Sequence, residues 1–442
     1  MDINLPKRVL LLFLLLSLVF SVFFAVHITP LALALIPLAI VVIVAFFVKP
    51  ELGIGLFIGG QNFFGILLFL AGVDRPIIVY PLMGLSISIT VVYLLIQGKG
   101  GIPRKFNAVM FAVLFFTIVL FANFHRTIFP HHTMIKGFTF VVACLIPFVA
   151  LNFLPGETKF LKSSFIAALF FAAIPVAYGV VGLVQSGIGG ASQRFDALEL
   201  VNINQYARNI GFASIILVWY FFKAKSLKLR IGLFCFLGLS LLVMVATGSR
   251  TSFIATAGAI LFYLIAFSEM NFTGKAVSVI LAGSIAAIPV ILGFGSMTSR
   301  FSNLQYMDLS VAGRIGMWLA AWQHKFDNVL FGVGTGNFAS ILPAWAVGVR
   351  LQFPHNLFIE FYMEWGIFGI ISYILLFTTP VFLWLKIRRS KDYDLETKKL
   401  SNLILTFVAF TFVLGMADLS APFPYMYFAL GIMSAIYSRK LT

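Results

Sequence analysis

Apolar runs of about 18 to 20 residues recur along this chain from one end to the other, and a run of that length is what a helix needs to cross the roughly 30 Å hydrocarbon core of a bilayer. Candidate spans are Val9–Val26, Leu31–Val48, Leu52–Ala71, Pro76–Ile96, Asn107–Phe124, Thr133–Phe153, Ser164–Val184, Ala207–Phe222, Ile231–Ala246, Thr251–Phe267, Ala276–Leu292, Asn356–Leu385, Leu400–Met416 and Pro424–Tyr437. They leave little chain for a separate soluble domain. With 61% hydrophobic and 10% charged residues, the composition is that of an integral membrane protein. The expected fold is all-α: a polytopic membrane helix bundle of about 12–14 spans, with residues 1–442 as one membrane domain and 299–355 as its one large outer loop.

The net charge of +16 is spread over the loops between spans. Scattered charge of this kind follows the positive-inside rule and argues against nucleic acid as a partner. The first apolar run, anchored by Lys7 and Arg8, reads as a span rather than a cleaved leader. With the N-terminus in the cytoplasm, 15 of the 17 lysines fall inside, whereas the outer set is two lysines, eight arginines and all six histidines. Positive-inside bias does not distinguish lysine from arginine. Bidentate recognition of phosphate or carboxylate does, so the outer face is where an anion would bind. Cys144 and Cys235 lie in mid-span and offer neither a disulfide framework nor a thiolate metal site.

Three constellations on the outer side carry chemistry. Thr247-Gly248-Ser249-Arg250-Thr251-Ser252 is a tight polar hairpin that holds Arg250 at the interface, either as a snorkelling anchor or as an anion ligand. Gly313-Arg314 opens a helical pattern with Ile315, Trp318, Leu319 and Trp322 on an apolar face, expected to lie on the membrane surface. The glycine run Gly332-Val333-Gly334-Thr335-Gly336 after it lacks the ending of a phosphate loop and reads as a turn. In Phe353-Pro354-His355-Asn356, the proline pre-sets the chain and Asn356 is placed to cap the next helix, whose Glu360 and Glu364 share a face. Carboxylates that far into an apolar helix are normally paired. Arg194 and Arg208 belong to another outer stretch, as anion contacts or as solvated charge. Asp392-Tyr393-Asp394 sits among lysines with no domain to hold a nucleotide and reads as solvated charge.

The ordered set Ser249-Arg250, Gly313-Arg314 with Trp318, Gly332-Val333-Gly334 with Asn337-Phe338, and His355-Asn356 with Glu360, Glu364 and Gly366 resembles the O-antigen ligase and polymerase superfamily. One departure is Asn202-Ile203-Asn204, where the family often carries a proline.

The resemblance implies a GT-C type glycosyltransferase of the bacterial inner membrane, with its site facing the periplasm; the charge bias places both termini in the cytoplasm. It implies an undecaprenyl-diphosphate-linked glycan as donor and, as acceptor, lipid A core in a ligase or another glycan in a polymerase; some members glycosylate protein hydroxyls. Arg250, Arg314 and Arg194 would bind the donor diphosphate, His355 would be the general base, and Asn356, Glu360 and Glu364 would support them. Such a reaction needs fixed positive charge around a good leaving group and a base for the acceptor hydroxyl, and calls for no metal or cofactor. A lipid-glycan transporter would instead place its ionisable groups along a midplane path.

Overall fold

The computed structural model describes residues 48–70, 79–99, 105–155, 157–186, 203–269, 271, 273, 275, 309–342 and 353–439. Helices stand at eleven of the expected spans; Val9–Val26, Leu31–Val48 and Ala276–Leu292 lie, Val48 aside, outside the described residues. The helices are α1 (Glu51–Leu70), α2 (Val79–Ile96), α3 (Ala108–Ala122), α4 (Pro130–Leu151), α5 (Thr158–Ser186) and α6 (Ile203–Lys223). They continue with α7 (Leu227–Ala246), α8 (Arg250–Phe267), α9 (Leu309–Gln323), α10 (Leu357–Arg389), α11 (Leu395–Gly415) and α12 (Pro424–Arg439). Among the described residues seven helices are long and apolar enough to cross a membrane, and no strand occurs.

Polar side chains that cap helix ends also tie neighbouring helices. Asn107 accepts from Val109 N and Met110 N at 3.0 and 3.1 Å, while its amide donates to Ser434 and Ser438 of α12 at 2.9 and 2.7 Å. Asp394, read as solvated charge, caps α11 by accepting from Thr397 N at 2.8 Å. The core runs between α3, α6, α10, α11 and α12, where Phe212 stacks on Phe407 at 3.9 Å and packs on Tyr425 at 4.8 Å. The small residues of α1 serve packing: a Cβ at Gly55 or Gly59 would run into Ala167 or Ala168 of α5.

One helix departs from the expected straight span. Gly366 inside α10 has φ 60° and ψ −142°, a conformation closed to most side chains. The rings of Phe358 and Tyr373 lie 5.7 Å apart, whereas fifteen residues of straight helix would separate them by about 22 Å. Residues 357–365 therefore fold back on 367–389. The short arm seats on α3, with Phe116 at 4.8 Å from Phe361 and 5.1 Å from Trp365.

The two ends of the bundle differ in charge chemistry. Glu396 of α11 binds Lys162 and Lys223 at 2.6 and 2.7 Å. Fifteen residues before Lys223, about 22 Å along α6, Arg208 joins the opposite end, alongside Arg314 and His355.

Candidate functional site

The centre of that opposite end is Asp418, in the turn between α11 and α12, with a side chain only 3% exposed. Three elements converge on it: α6, α9 and the turn before α10. Asn204, at the start of α6, donates to Oδ1 at 3.3 Å. Arg208 places Nε 3.7 Å from Oδ2 and packs its guanidinium 5.6 Å from the Phe423 ring. Arg314 of α9 and His355 before α10 each bring a nitrogen, Nη2 and Nδ1, to 3.7 Å from Oδ1. Two guanidiniums thus share one carboxylate in a mostly buried setting. That excess of positive charge suits an incoming anion and disfavours a metal cation.

His355 is held in an unusual backbone state. Its φ of 55° makes it the one non-glycine residue with positive φ among those described. The conformation is fixed from both sides. Pro354 O accepts from Trp318 Nε1 of α9 at 2.8 Å, and Asn356 caps α10 through Ile359 N at 3.1 Å while its amide donates to Met416 O at 2.9 Å. Trp318 and Asn356 thereby lock α9, the His355 turn and the end of α11 together. Nδ1 of His355 is buried with no hydrogen-bond partner, and Phe353 packs its ring 4.3 Å from the imidazole. A strained, tethered histidine beside a carboxylate is a positioned group rather than a passive core residue.

Glu360 and Glu364 are paired, as their depth demanded, and their partner is Lys136 of α4. Lys136 Nζ contacts Glu360 Oε1 and lies 2.6 Å from Glu364 Oε2, with both carboxylates fully buried. Glu360 also accepts from Ser420 Oγ at 2.7 Å and Ala421 N at 3.0 Å. The turn that carries Asp418 is therefore anchored to α4 and α10 through one buried charge cluster. Glu364 accepts from Gly336 N at 2.9 Å and so holds the glycine run as well.

That run is a structural turn. Gly332, Gly334 and Gly336 all have positive φ, and Val333 N and Gly334 N donate to Met363 O and Glu364 O at 2.7 and 3.0 Å. Its backbone is spent on the end of the folded-back arm, leaving no cradle for phosphate. Asn337 completes the turn by accepting from Ile128 N and Phe129 N at 2.9 and 3.2 Å.

Arg250 opens α8 beside Ser249 and Ser252, which hydrogen-bond at 2.9 Å; Ser252 Oγ reaches Asn204 O at 3.5 Å. The hairpin thus adjoins the Asp418 cluster through Asn204. Arg194 lies outside the described residues. Arg208, left open between anion contact and solvated charge, is buried at 8% exposure. Helix α9 is present: it buries Met317, Ala320 and Ala321 with Trp318 packed against them, and Ile315, Leu319 and Trp322 of the expected apolar face are exposed.

Sequence reasoning missed Asp418 and Lys136. A signal existed for each: an aspartate between two apolar helices, and one of only two outer lysines, placed inside a span.

Residues 233–374, about a third of the chain, match the family model described as O-antigen ligase. The matched segment carries Arg250, Arg314, the glycine turn, His355, Glu360 and Glu364, and supports the resemblance to the O-antigen ligase and polymerase superfamily. No curated protein matches the chain significantly.

Proposed function

We propose that this membrane protein, with its O-antigen ligase segment at 233–374, transfers a glycan from undecaprenyl diphosphate to a hydroxyl of the lipid A core oligosaccharide. The site faces the periplasm from the bacterial inner membrane, and the termini are cytoplasmic. The observation that carries the reading is the convergence of Arg208, Arg314 and a strained His355 on the single carboxylate of Asp418. The same grouping makes a transporter the weaker reading, because these groups stand together at helix ends rather than along a path.

The chemistry follows from the geometry. The bond between the anomeric carbon and the diphosphate oxygen breaks, and its electron pair leaves on the diphosphate. Diphosphate is already a good leaving group, so it needs fixed positive charge more than a proton. Arg314, Arg208 and Arg250 supply that charge, with Arg194 as a further donor contact. The acceptor oxygen attacks from the opposite side, inverting the anomeric centre, and its proton passes to Nε2 of His355. Asp418 faces the other ring nitrogen at 3.7 Å. An approach of about 1 Å makes this a hydrogen bond, which fixes the tautomer and stabilises the imidazolium as it forms.

A strain lacking the protein tests the assignment. Long polymer accumulating on undecaprenyl diphosphate and absent from lipid A is the expected result. Single repeat units on the lipid carrier would show a polymerase instead, and unchanged lipopolysaccharide would refute transfer to lipid A.

A further inference from the structure

A cavity of about 280 Å³ lies on the α4 side of Asp418, between α1, α4, the start of α6 and the 418–424 turn. It shares the walls Asp418 and Phe353 with the His355 turn. Three polar groups on its lining lack hydrogen-bond partners. Gln61 of α1 is 4% exposed, and no hydrogen bond ties its amide to the described residues. Nδ1 of His132 and Oδ2 of Asp418 are buried without a hydrogen bond, Oδ2 facing Arg208 Nε at 3.7 Å. Gln61 therefore offers the cavity both an amide donor and an acceptor.

The charge balance decides the class of ligand. The two cations on this side, Lys136 and Arg208, already face three carboxylates: Glu360, Glu364 and Asp418. The cavity therefore has no surplus positive charge for a phosphate. The rest of the polar lining is the Gln61 and Gln205 amides, the Thr139 and Ser420 hydroxyls, the His132 imidazole and a carboxylate oxygen, beside the apolar Phe353 and Phe423. A ring with several hydroxyls and an apolar face matches that lining. The volume sits at the lower edge of small-molecule sites, which span roughly 300–1,000 Å³. It suits one sugar ring rather than an oligosaccharide.

We infer that this cavity is the subsite for a neutral hexose ring of the acceptor, and that Gln61 and His132 read its hydroxyl groups and so set acceptor specificity. The inference rests on the glycan-transfer reading above, since a ring held there presents a hydroxyl past Asp418 and Phe353 to His355. Arg208 lines the cavity and stands between the two subsites, while Arg314 and Arg250 hold the donor. The division makes Gln61 a specificity residue that touches the acceptor and not the leaving group.

The test uses full-length protein in nanodiscs, first with methyl glucoside, methyl galactoside and methyl mannoside as free probes in saturation-transfer NMR. At least one hexoside should receive saturation from the wild type and lose it with Gln61→Leu, a substitution of similar size that suits a membrane helix. His132→Phe should weaken the same signal, which covers the case of a misfolded Gln61 variant. No hexoside signal, an equal signal in both variants, or displacement by inorganic pyrophosphate would overturn the subsite. These binding outcomes do not depend on turnover, so a protein that binds hexoside but transfers no glycan would refute the transfer reading alone. With transfer active, Gln61→Leu should raise the acceptor KM about 3- to 10-fold, the effect of one lost neutral hydrogen bond, and leave the donor KM unchanged. A raised donor KM with an unchanged acceptor KM would contradict it.

Discussion

Replacing Lys136 by methionine isolates what the buried charge cluster contributes. Methionine keeps the length of the side chain and most of its bulk, and gives up the ammonium that lies 5.0 Å over the Trp365 ring. It removes the one cation between Glu360 and Glu364, both 0% exposed and one helical turn apart. Each carboxylate keeps other donors: Ser420 Oγ and Ala421 N for Glu360, Gly336 N for Glu364. Those bonds do not cancel two like charges buried side by side. Stripping one partner from a buried ion pair costs about 3–5 kcal/mol, and unfolding free energy measured by SDS titration in mixed micelles should fall by that amount. Lys136→Met combined with Glu360→Gln and Glu364→Gln should recover most of it, because the orphaned charges are then gone. A loss below about 0.5 kcal/mol for Lys136→Met, the range of an ordinary surface change, would refute the reasoning. So would a triple variant no more stable than the single one.

Other substitutions probe the remaining parts. His355→Ala and Arg314→Ala should each abolish glycan transfer in a reconstituted assay while the protein still inserts and purifies as a stable species; full transfer by either would remove that residue from the chemistry. Asp418→Asn should lower kcat well beyond any change in either KM, because the tautomer of His355 loses its fixed partner. Arg250→Lys should transfer far more slowly than wild type, since an ammonium does not reproduce the guanidinium fork, and equal rates would leave Arg250 as an anchor or a point charge. Gly366→Ala should destabilise by about 1–3 kcal/mol, the range for strained backbone, because φ is 60° and a Cβ would lie 2.5 Å from Leu330 C and O. Gly258→Ala meets nothing within 4 Å and should be neutral or stabilising by the same SDS titration.

The spans were readable because hydropathy along a chain is a local property, and eleven helices stand where apolar runs predicted them. The expected excess of arginine over lysine on the outer side is likewise a local reading, since topology assigns each loop a side. Arg314 and His355 follow from it and do meet, at Asp418. What escaped was pairing made by tertiary structure. Lys136 and Glu364 are 228 positions apart, and Arg208 and Asp418 are 210 apart, with nothing local at either position to announce its partner. The fold-back at Gly366 escaped for a different reason: a glycine in an apolar run reads as helix packing, and only the positive φ exposes it as a break. Trp318 and the glycine turn were visible as a pattern, but their role in pinning the His355 backbone depends on contacts that the pattern does not encode.

The central claim is that the cluster at Asp418 holds a diphosphate donor while His355 takes the acceptor proton. Its most direct test is release of undecaprenyl diphosphate by purified protein in nanodiscs, given lipid-diphosphate glycan with and without lipid A core. The account predicts release coupled one-to-one to glycan on lipid A, inverted at the anomeric carbon and lost in His355→Ala. Release that persists in His355→Ala, or a product that retains the donor's anomeric configuration, would contradict it.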